Sequence, residues 1–297
     1  MTGTEVLLQQ LLVGLVNGSI IALIALGYTM VYGILELINF AHGDLFMLGG
    51  FLALTLVGAL GLQAGPDPLS QFPALLFILV VVPVFCASLN WVIDRLAYKP
   101  LRNAPKLVPL GSAIGVSFIL QNIGLFWGGM PMKVFGDGRA AAAPKDVPDL
   151  IGNANLLANL FPNTAILLTW KDLMVFAVTV PLLVALTWFV RRTRMGKAMR
   201  ATAQDPVAAQ LMGVDVNRVI GATFVIGGAL GGAASVIKLP AIRTYNSGPV
   251  AGVMGAPLLA KTYGLDKIIL TDMGGTSFDI ALLLKGRPQF YEFRPTI

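Results

Sequence analysis

The sequence predicts an all-α polytopic membrane protein of about six spans, with a broken or re-entrant helix near 36–44 and a small α/β fragment at its C-terminal end. Three observations predict it. Of the 297 residues, 56% are hydrophobic and only 12% charged, and the mean hydropathy is +0.77, far more apolar than an ordinary soluble domain. Six uncharged stretches, 11–35, 45–62, 72–93, 107–132, 173–190 and 219–237, are long enough to span; a helix needs roughly 20 residues to cross the hydrocarbon layer, so the second and fifth sit near the short limit. After Ile237 the long apolar runs stop and short alternating segments take over.

The same numbers bound the function. The formal charge of +6 is spread over linkers between apolar runs rather than gathered on one amphipathic face, which favours topology signals over nucleic-acid binding. Cys86 is the only cysteine and lies inside an apolar run, so no internal disulfide and no cysteine metal cluster can form. The N-terminus has no basic region before its first apolar run and no small-residue cleavage pattern after it. That run is therefore read as a retained span.

The first span is followed within a few residues by Glu36, Asn39, His42 and Asp44. Polar groups at the mouth of a span need water, protein or a ligand to satisfy them. Two readings stand: a transport role, or a structural network in which His42 and Asp44 bond to neighbouring backbone. Gly18, Gly27, Gly33, Gly43, Gly49 and Gly50 crowd the same region, small residues that let helices approach closely.

The linkers set the topology. Arg95, Lys99, Arg102 and Lys106 follow the third span, and Arg191, Arg192, Arg194, Lys197, Arg200 and Arg218 follow the fifth, whereas 63–71 holds no basic residue. By the positive-inside rule the two basic linkers are cytoplasmic. Alternation then puts the N-terminus outside, 36–44 at the inner ends of its spans, and 63–71, 133–169 and everything after Ile237 outside. The segment 133–169 contains Gly136, Gly138, Pro144 and Pro148, which argue against a continuous helix; it reads either as a lid or docking surface or as a loose connector carrying the alanine run 140–143. Scattered carboxylates and a single histidine nominate no catalytic residues and no metal site in the first 237 residues.

In the linker 191–218, Asp205 followed by Pro206 is a good helix start and Gly213 a good stop. The spacing predicts one short helix over 206–212.

Several motifs carry a family resemblance. Asn17-Gly18-Ser19, the run from Ala25 to Gly33, and above all Ile38-Asn39-Phe40-Ala41-His42-Gly43-Asp44 resemble the permease subunits of bacterial ABC importers for branched-chain amino acids. The block from Ala113 to Asn122 and the region from Met195 to Gly213 are similar to the same family, so the resemblance covers about 7–237. It implies a multi-pass protein of the bacterial inner membrane that hydrolyses nothing and binds no cofactor itself, ATP being used by a partner ATPase. The implied partners are cytoplasmic ABC ATPase subunits, a second permease subunit, a periplasmic substrate-binding protein and a small amino-acid substrate. Nucleic acid is not among them. Asn17, Tyr28, Asn39, His42 and Asp44 are the candidate substrate-pathway residues. Importer permeases of several families carry a cytoplasmic Glu-Ala-Ala-three-residues-Gly pattern that docks on the ATPase. Val207-Ala208-Ala209 through Gly213 matches its spacing with Val in place of Glu, so Arg200, Asp205, Ala208, Ala209 and Gly213 are assigned to the ATPase-coupling loop.

The final segment is of another kind. Its pattern predicts a helix over about 249–263, a strand over 267–271, a Gly-Gly turn and a strand over 278–284. Ser247 to Ala256 and Asp272-Met273-Gly274-Gly275-Thr276-Ser277-Phe278-Asp279 resemble the hydantoinase, oxoprolinase and acetone carboxylase family, which has an actin-like ATPase fold. The resemblance implies a phosphate loop of Asp272, Gly274, Gly275, Thr276 and Asp279, vestigial here because the second phosphate hairpin and the adenine pocket are missing. Two domains follow, a truncated transmembrane permease over 1–237 and a partial actin-like fragment over 238–297, joined somewhere between Gly232 and Arg243. The expected function is that of the importer permease. A membrane-tethered hydantoinase or carboxylase-type ATPase subunit, or a non-functional fusion product, are the alternatives.

Overall fold

Each long uncharged run becomes a helix, because a backbone without water must satisfy its N–H and C=O groups internally. A computed structural model of the chain describes residues 3–36, 38–62, 71–102, 104–105, 107–135, 150–151, 155–157, 166–238, 267–273, 278–284 and 287–289. The chain divides into two compact units, Met1–Ala241 and Ile242–Ile297. In the first, the helices are α1 (Gly3–Leu35), α2 (Ala41–Ala59), α3 (Phe72–Ile93), α4 (Leu107–Gly128), α5 (Trp170–Arg192), α6 (Arg194–Gln204), α7 (Pro206–Leu211) and α8 (Val216–Lys238). Six of them are long and apolar enough to cross a membrane.

The ends depart from the sequence reading for local reasons. Helix α5 begins at Trp170 rather than 173 because Thr169 and Asp172 form a capping box, each side chain bonding the other's backbone N–H. Helix α3 continues past Ile93 through a π-helical turn, Asp94–Tyr98, and a 3-10 turn, Lys99–Leu101; Pro100, which has no N–H, disfavours a regular continuation. The linker after α5 was expected to hold one short helix, but Thr193 caps a second, α6, by accepting from the Gly196 N–H at 3.0 Å.

Helix α8 is the hub. It packs against α1, α2 and α3, and glycines set those approaches. A Cβ on Gly228 would lie 2.5 Å from the Cys86 carbonyl oxygen, and one on Gly232 2.7 Å from the Pro83 Cα. Bundles in lipid gain stability from such close backbone packing, since the solvent is as apolar as the side chains. Three apolar clusters surround the hub, one around Val57, Ile78 and Phe135, one around Leu45, Tyr98 and Phe224, and one around Leu23, Val175 and Ile237.

The segment 133–169 is neither purely lid nor loose connector where it is described. Phe135, Leu150 and Ile151 are buried in the first cluster, and Gln9 bonds both backbone groups of Leu167, accepting from its N–H at 2.8 Å and donating to its carbonyl at 3.3 Å. The N-terminal end of α1 and the approach to α5, both expected outside, are thus tied together. Gly136, Gly138, the alanine run and both prolines lie outside the described residues.

The second unit contains a three-stranded antiparallel sheet, β1 (Lys267–Met273), β2 (Phe278–Leu284) and β3 (Arg287–Gln289), in the order β1-β2-β3. Asp272 and Asp279 are register partners across the β1–β2 pair. The third strand was not expected from the sequence, because it is short and carries Pro288, which a sheet tolerates at its edge. The helix expected over 249–263 and the turn residues Gly274, Gly275 and Thr276 lie outside the described residues.

Candidate functional site

The expected break between the first two spans is present, but it is shorter than 36–44. Helix α1 ends at Leu35, Glu36 turns the backbone with φ 53°, a conformation uncommon outside glycine, and α2 resumes at Ala41. His42, Gly43 and Asp44 therefore lie in the first turn of α2 rather than in an irregular mouth. That turn and the chain just ahead of it point their polar side chains into the bundle: Asn39 is 2% exposed, His42 2% and Asp44 9%.

Each of these buried groups meets a different helix. His42 Nε2 lies 3.2 Å from the Ile24 carbonyl oxygen of α1; a carbonyl only accepts, so Nε2 carries the hydrogen of that bond. The ring meets Tyr28 edge to face, with centroids 6.1 Å apart. It fits between α1 and α8 because Gly27 and Gly231 leave the space, a Cβ on them falling 3.0 and 3.6 Å from its Cε1. Asn39 Oδ1 accepts from the Tyr98 hydroxyl at 3.0 Å, and Tyr98 in turn leans on Phe224 with centroids 5.2 Å apart. Asp44 Oδ2 accepts from the Ser117 hydroxyl of α4 at 2.5 Å, and the Gln121 amide donates to that same hydroxyl at 3.1 Å.

Four of the five candidate pathway residues thus belong to one neighbourhood around the first turn of α2. Asn17 does not. It is half-buried on α1, seven residues before Ile24 and so roughly 10 Å away along the helix at 1.5 Å per residue. The neighbourhood also contains residues that sequence reasoning passed over: Asn90, which donates to the Phe224 carbonyl at 2.7 Å, Tyr98, Ser117 and Gln121. A buried polar residue within an uncharged run was the available signal for Asn90. Nothing in its own stretch marks Ser117 as the partner of Asp44, 73 residues earlier.

Three buried atoms of this site have no hydrogen-bond partner among the described residues, Asn39 Nδ2, His42 Nδ1 and Asn90 Oδ1. The arrangement can bind and orient a small polar solute, or transmit strain between α1, α2 and α8. Among the described residues no three His, Cys, Asp or Glu side chains lie together in a way that could hold a metal ion.

Beside it, an ion pair closes the C-terminal end of α3. Asp94, 2% exposed, accepts from Arg102 at 2.5 Å, and Arg102 also donates to Asn217 at the start of α8. The two basic linkers, both expected inside, are joined by this contact.

The second candidate region is the α6–α7 corner. Asp205 caps α7 as expected, accepting from the N–H groups of Val207 and Ala208 at 2.8 and 3.0 Å, and Gly213 ends it with φ +84°. The helix stops at Leu211, one residue before the expected 212. Ala209, assigned from the motif to the partner-facing surface, is only 5% exposed, on a helix that packs against α6 and α8. The outward ridge is instead Val207, Leu211 and Met212, exposed by 66, 83 and 85%, with Ala208 beside them. Arg200 donates to the Val190 carbonyl, so it fastens the α5–α6 corner.

The comparisons with known proteins fall on this architecture. The family profile described as "Branched-chain amino acid transport system / permease component" matches residues 10–263. The chain belongs to that family of permease components. The match continues beyond Ile237, where the resemblance was expected to stop. The permease is 39% identical over 233 residues to the high-affinity branched-chain amino acid transport system permease protein BraD of Pseudomonas aeruginosa, covering 77% of this chain and 70% of BraD. It is 38% identical over 230 residues to LivH of Escherichia coli K12, with the same two coverages of 77% and 70%. A different match, 48% identical over 67 residues, joins 23% of the permease to 9% of the acetophenone carboxylase gamma subunit of Aromatoleum aromaticum. No solved structure matches this chain. Six apolar helices and this membership make the permease a multi-pass inner-membrane protein, the membrane component of an ABC transporter. The family implies ATPase and substrate-binding partners.

Proposed function

We propose that the permease carries a branched-chain amino acid or a similar small amphipathic solute inward, with a cytoplasmic ATPase pair driving it, a second permease subunit completing the pore and a periplasmic binding protein delivering the solute. The observation that carries the reading is the buried polar neighbourhood at the α1–α2 break, where Tyr28, Asn39, His42 and Asp44 are held by α1, α3 and α4 around the glycine face of α8. Polar groups inside a membrane bundle are expensive to keep and mark solute paths by default. The exposed ridge Val207, Leu211 and Met212 is the surface offered to the ATPase. ATP is bound by that partner and not by this chain. Reconstitution with the partner subunits tests it: leucine uptake should require ATP and the binding protein, and Asp44→Ala should lower uptake at least tenfold with assembly unchanged. Unaltered uptake in that variant would remove the site from the path.

A second reading concerns 238–297, taken as a domain of hydantoinase and carboxylase ancestry joined to the permease over 1–237. The short carboxylase match, the Asp272-Met273-Gly274-Gly275-Thr276 motif and the antiparallel β1–β2 pair around it support it; the family profile's reach to residue 263 weighs against a sharp boundary at 237. In this reading the segment is a partial actin-like α/β fragment whose phosphate loop is silent, since one hairpin supplies few of the convergent N–H donors that nucleotide binding needs. Asp272→Ala should change neither uptake nor ATP hydrolysis by the assembled transporter. Loss of ATP turnover by the purified chain alone on that substitution would make the membrane-tethered ATPase the better account.

A further inference from the structure

The exposed face of α4 carries a feature that lipid contact does not explain. About two turns from the C-terminal end of this 22-residue helix, Gln121 and Asn122 stand side by side and both are exposed. Elsewhere the exposed hydroxyls of the spans fold back on their own helix: Ser19 on Leu15, Ser88 on Val84, Thr187 on Leu183, each within 2.8 Å. One such bond answers a hydroxyl's single donor. A carboxamide has two donors and two acceptor lone pairs. Asn122 makes one bond, to the Phe118 carbonyl at 2.8 Å, and the Gln121 amide bonds the Ser117 hydroxyl at 3.1 Å and the Asp44 carboxylate, so among the described residues both amide carbonyls and one Asn122 donor are left unused. Facing hydrocarbon they would go unsatisfied.

Gln121 is also the outer end of a ladder. Its amide donates to Ser117, and Ser117 donates to Asp44, which is 9% exposed. The ladder links a buried carboxylate to the helix surface. On the same surface a Cβ at Gly111 or Gly115 would meet nothing within 4 Å, while Phe118 is 61% exposed.

We propose that the Gly111, Gly115, Phe118 and Asn122 face of α4 is a wall of the aqueous solute path, and that the Gln121–Ser117–Asp44 ladder is the subsite for the ammonium group of a small zwitterion. An ammonium needs up to three acceptors. The Asp44 carboxylate with the Gln121 carbonyl and Ser117 hydroxyl supply them, and Phe118 beside the amides suits a solute with an aliphatic side chain. The assignment rests on the transport reading above for the solute, but the wall itself does not.

Cysteine accessibility tests both parts in the assembled transporter. Cys86, the single cysteine, is buried, so Cys86→Ala gives a clean background. Gln121→Cys, Asn122→Cys and Phe118→Cys are introduced singly, with Val84→Cys on the exposed apolar face of α3 as the lipid-facing control. A cationic water-soluble thiosulfonate, applied to vesicles from both sides, should modify at least one of the α4 cysteines ten times faster or more than the control. Leucine should slow that reaction at least threefold at Asn122→Cys or Phe118→Cys, where the ladder is intact, and 4-methylpentanoate, which lacks the amine, should not. Reaction of all three α4 positions at rates no higher than the control overturns the wall. Fast reaction at Asn122→Cys or Phe118→Cys that leucine fails to slow, or that both solutes slow alike, overturns the ammonium subsite. Leucine uptake by the Cys86→Ala background separates these outcomes from failure of the transport reading: uptake with unreactive α4 cysteines keeps the function and removes the wall, and reactive cysteines without uptake do the reverse.

Discussion

Gly27 of α1 and Gly227 of α8 cross so closely that a Cβ on either would lie 2.8 Å from the carbonyl oxygen of the other. Two backbones touch there, and His42 sits in the space both helices leave. Gly33, six residues further along α1, has nothing within 4 Å of the same position. Gly27→Val and Gly227→Val should therefore destabilise the bundle by about 1–3 kcal/mol through overpacking, while Gly33→Ala should be neutral or slightly favourable. Thermal unfolding of the detergent-solubilised protein reads the difference; equal melting of all three variants would refute the crossing.

The Asp94–Arg102 pair holds the end of α3 against the start of α8, with side chains 3% and 14% exposed. Removing one partner leaves the other charge without its counterion, so Arg102→Ala should cost about 3–5 kcal/mol. Arg102→Lys keeps the charge but loses the fork that reaches both Asp94 and Asn217, and should recover only part of the loss. Melting temperatures of the two variants, compared with Asp94→Asn, check the order.

At the α6–α7 corner, the exposures of Leu211 and Ala209 make opposite predictions for two substitutions on one helix. Leu211→Glu, 83% exposed, should weaken co-purification with the ATPase at least tenfold, about 1.4 kcal/mol, and leave the permease's own melting unchanged. Ala209→Arg, placed where only 5% of the residue is exposed, should lower the melting temperature before it affects any partner. Intact assembly with Leu211→Glu would exclude α7 as the docking ridge.

Topology follows from the basic linkers. Tags after Gly65 and after Ile297 should be reached by an impermeant reagent in intact spheroplasts, and one after Lys197 only after permeabilisation. The Arg102–Asn217 and Gln9–Leu167 contacts require the ends they join to share a side, so a tag result that splits either pair would contradict the bundle as well as the charge argument.

Hydropathy, charge placement and local capping were legible in the chain itself. The six spans, the α7 helix with its Asp205 cap and the β1–β2 strands rest on signals a few residues wide: uncharged length, Asp-Pro and Gly at a helix's two ends, alternation around a Gly-Gly turn. Each records a requirement that the local backbone must satisfy by itself. The tertiary structure decided the rest. That Asp44 pairs with Ser117, that Asn39 meets Tyr98, that Ala209 turns inward while Leu211 turns out, and that α8 rather than α1 is the hub depend on which helix faces meet. In a bundle where nearly every face is apolar, hydrophobicity does not rank the faces; close backbone contact at Gly27, Gly227, Gly228 and Gly232 does, and those distances exist only once the helices have packed.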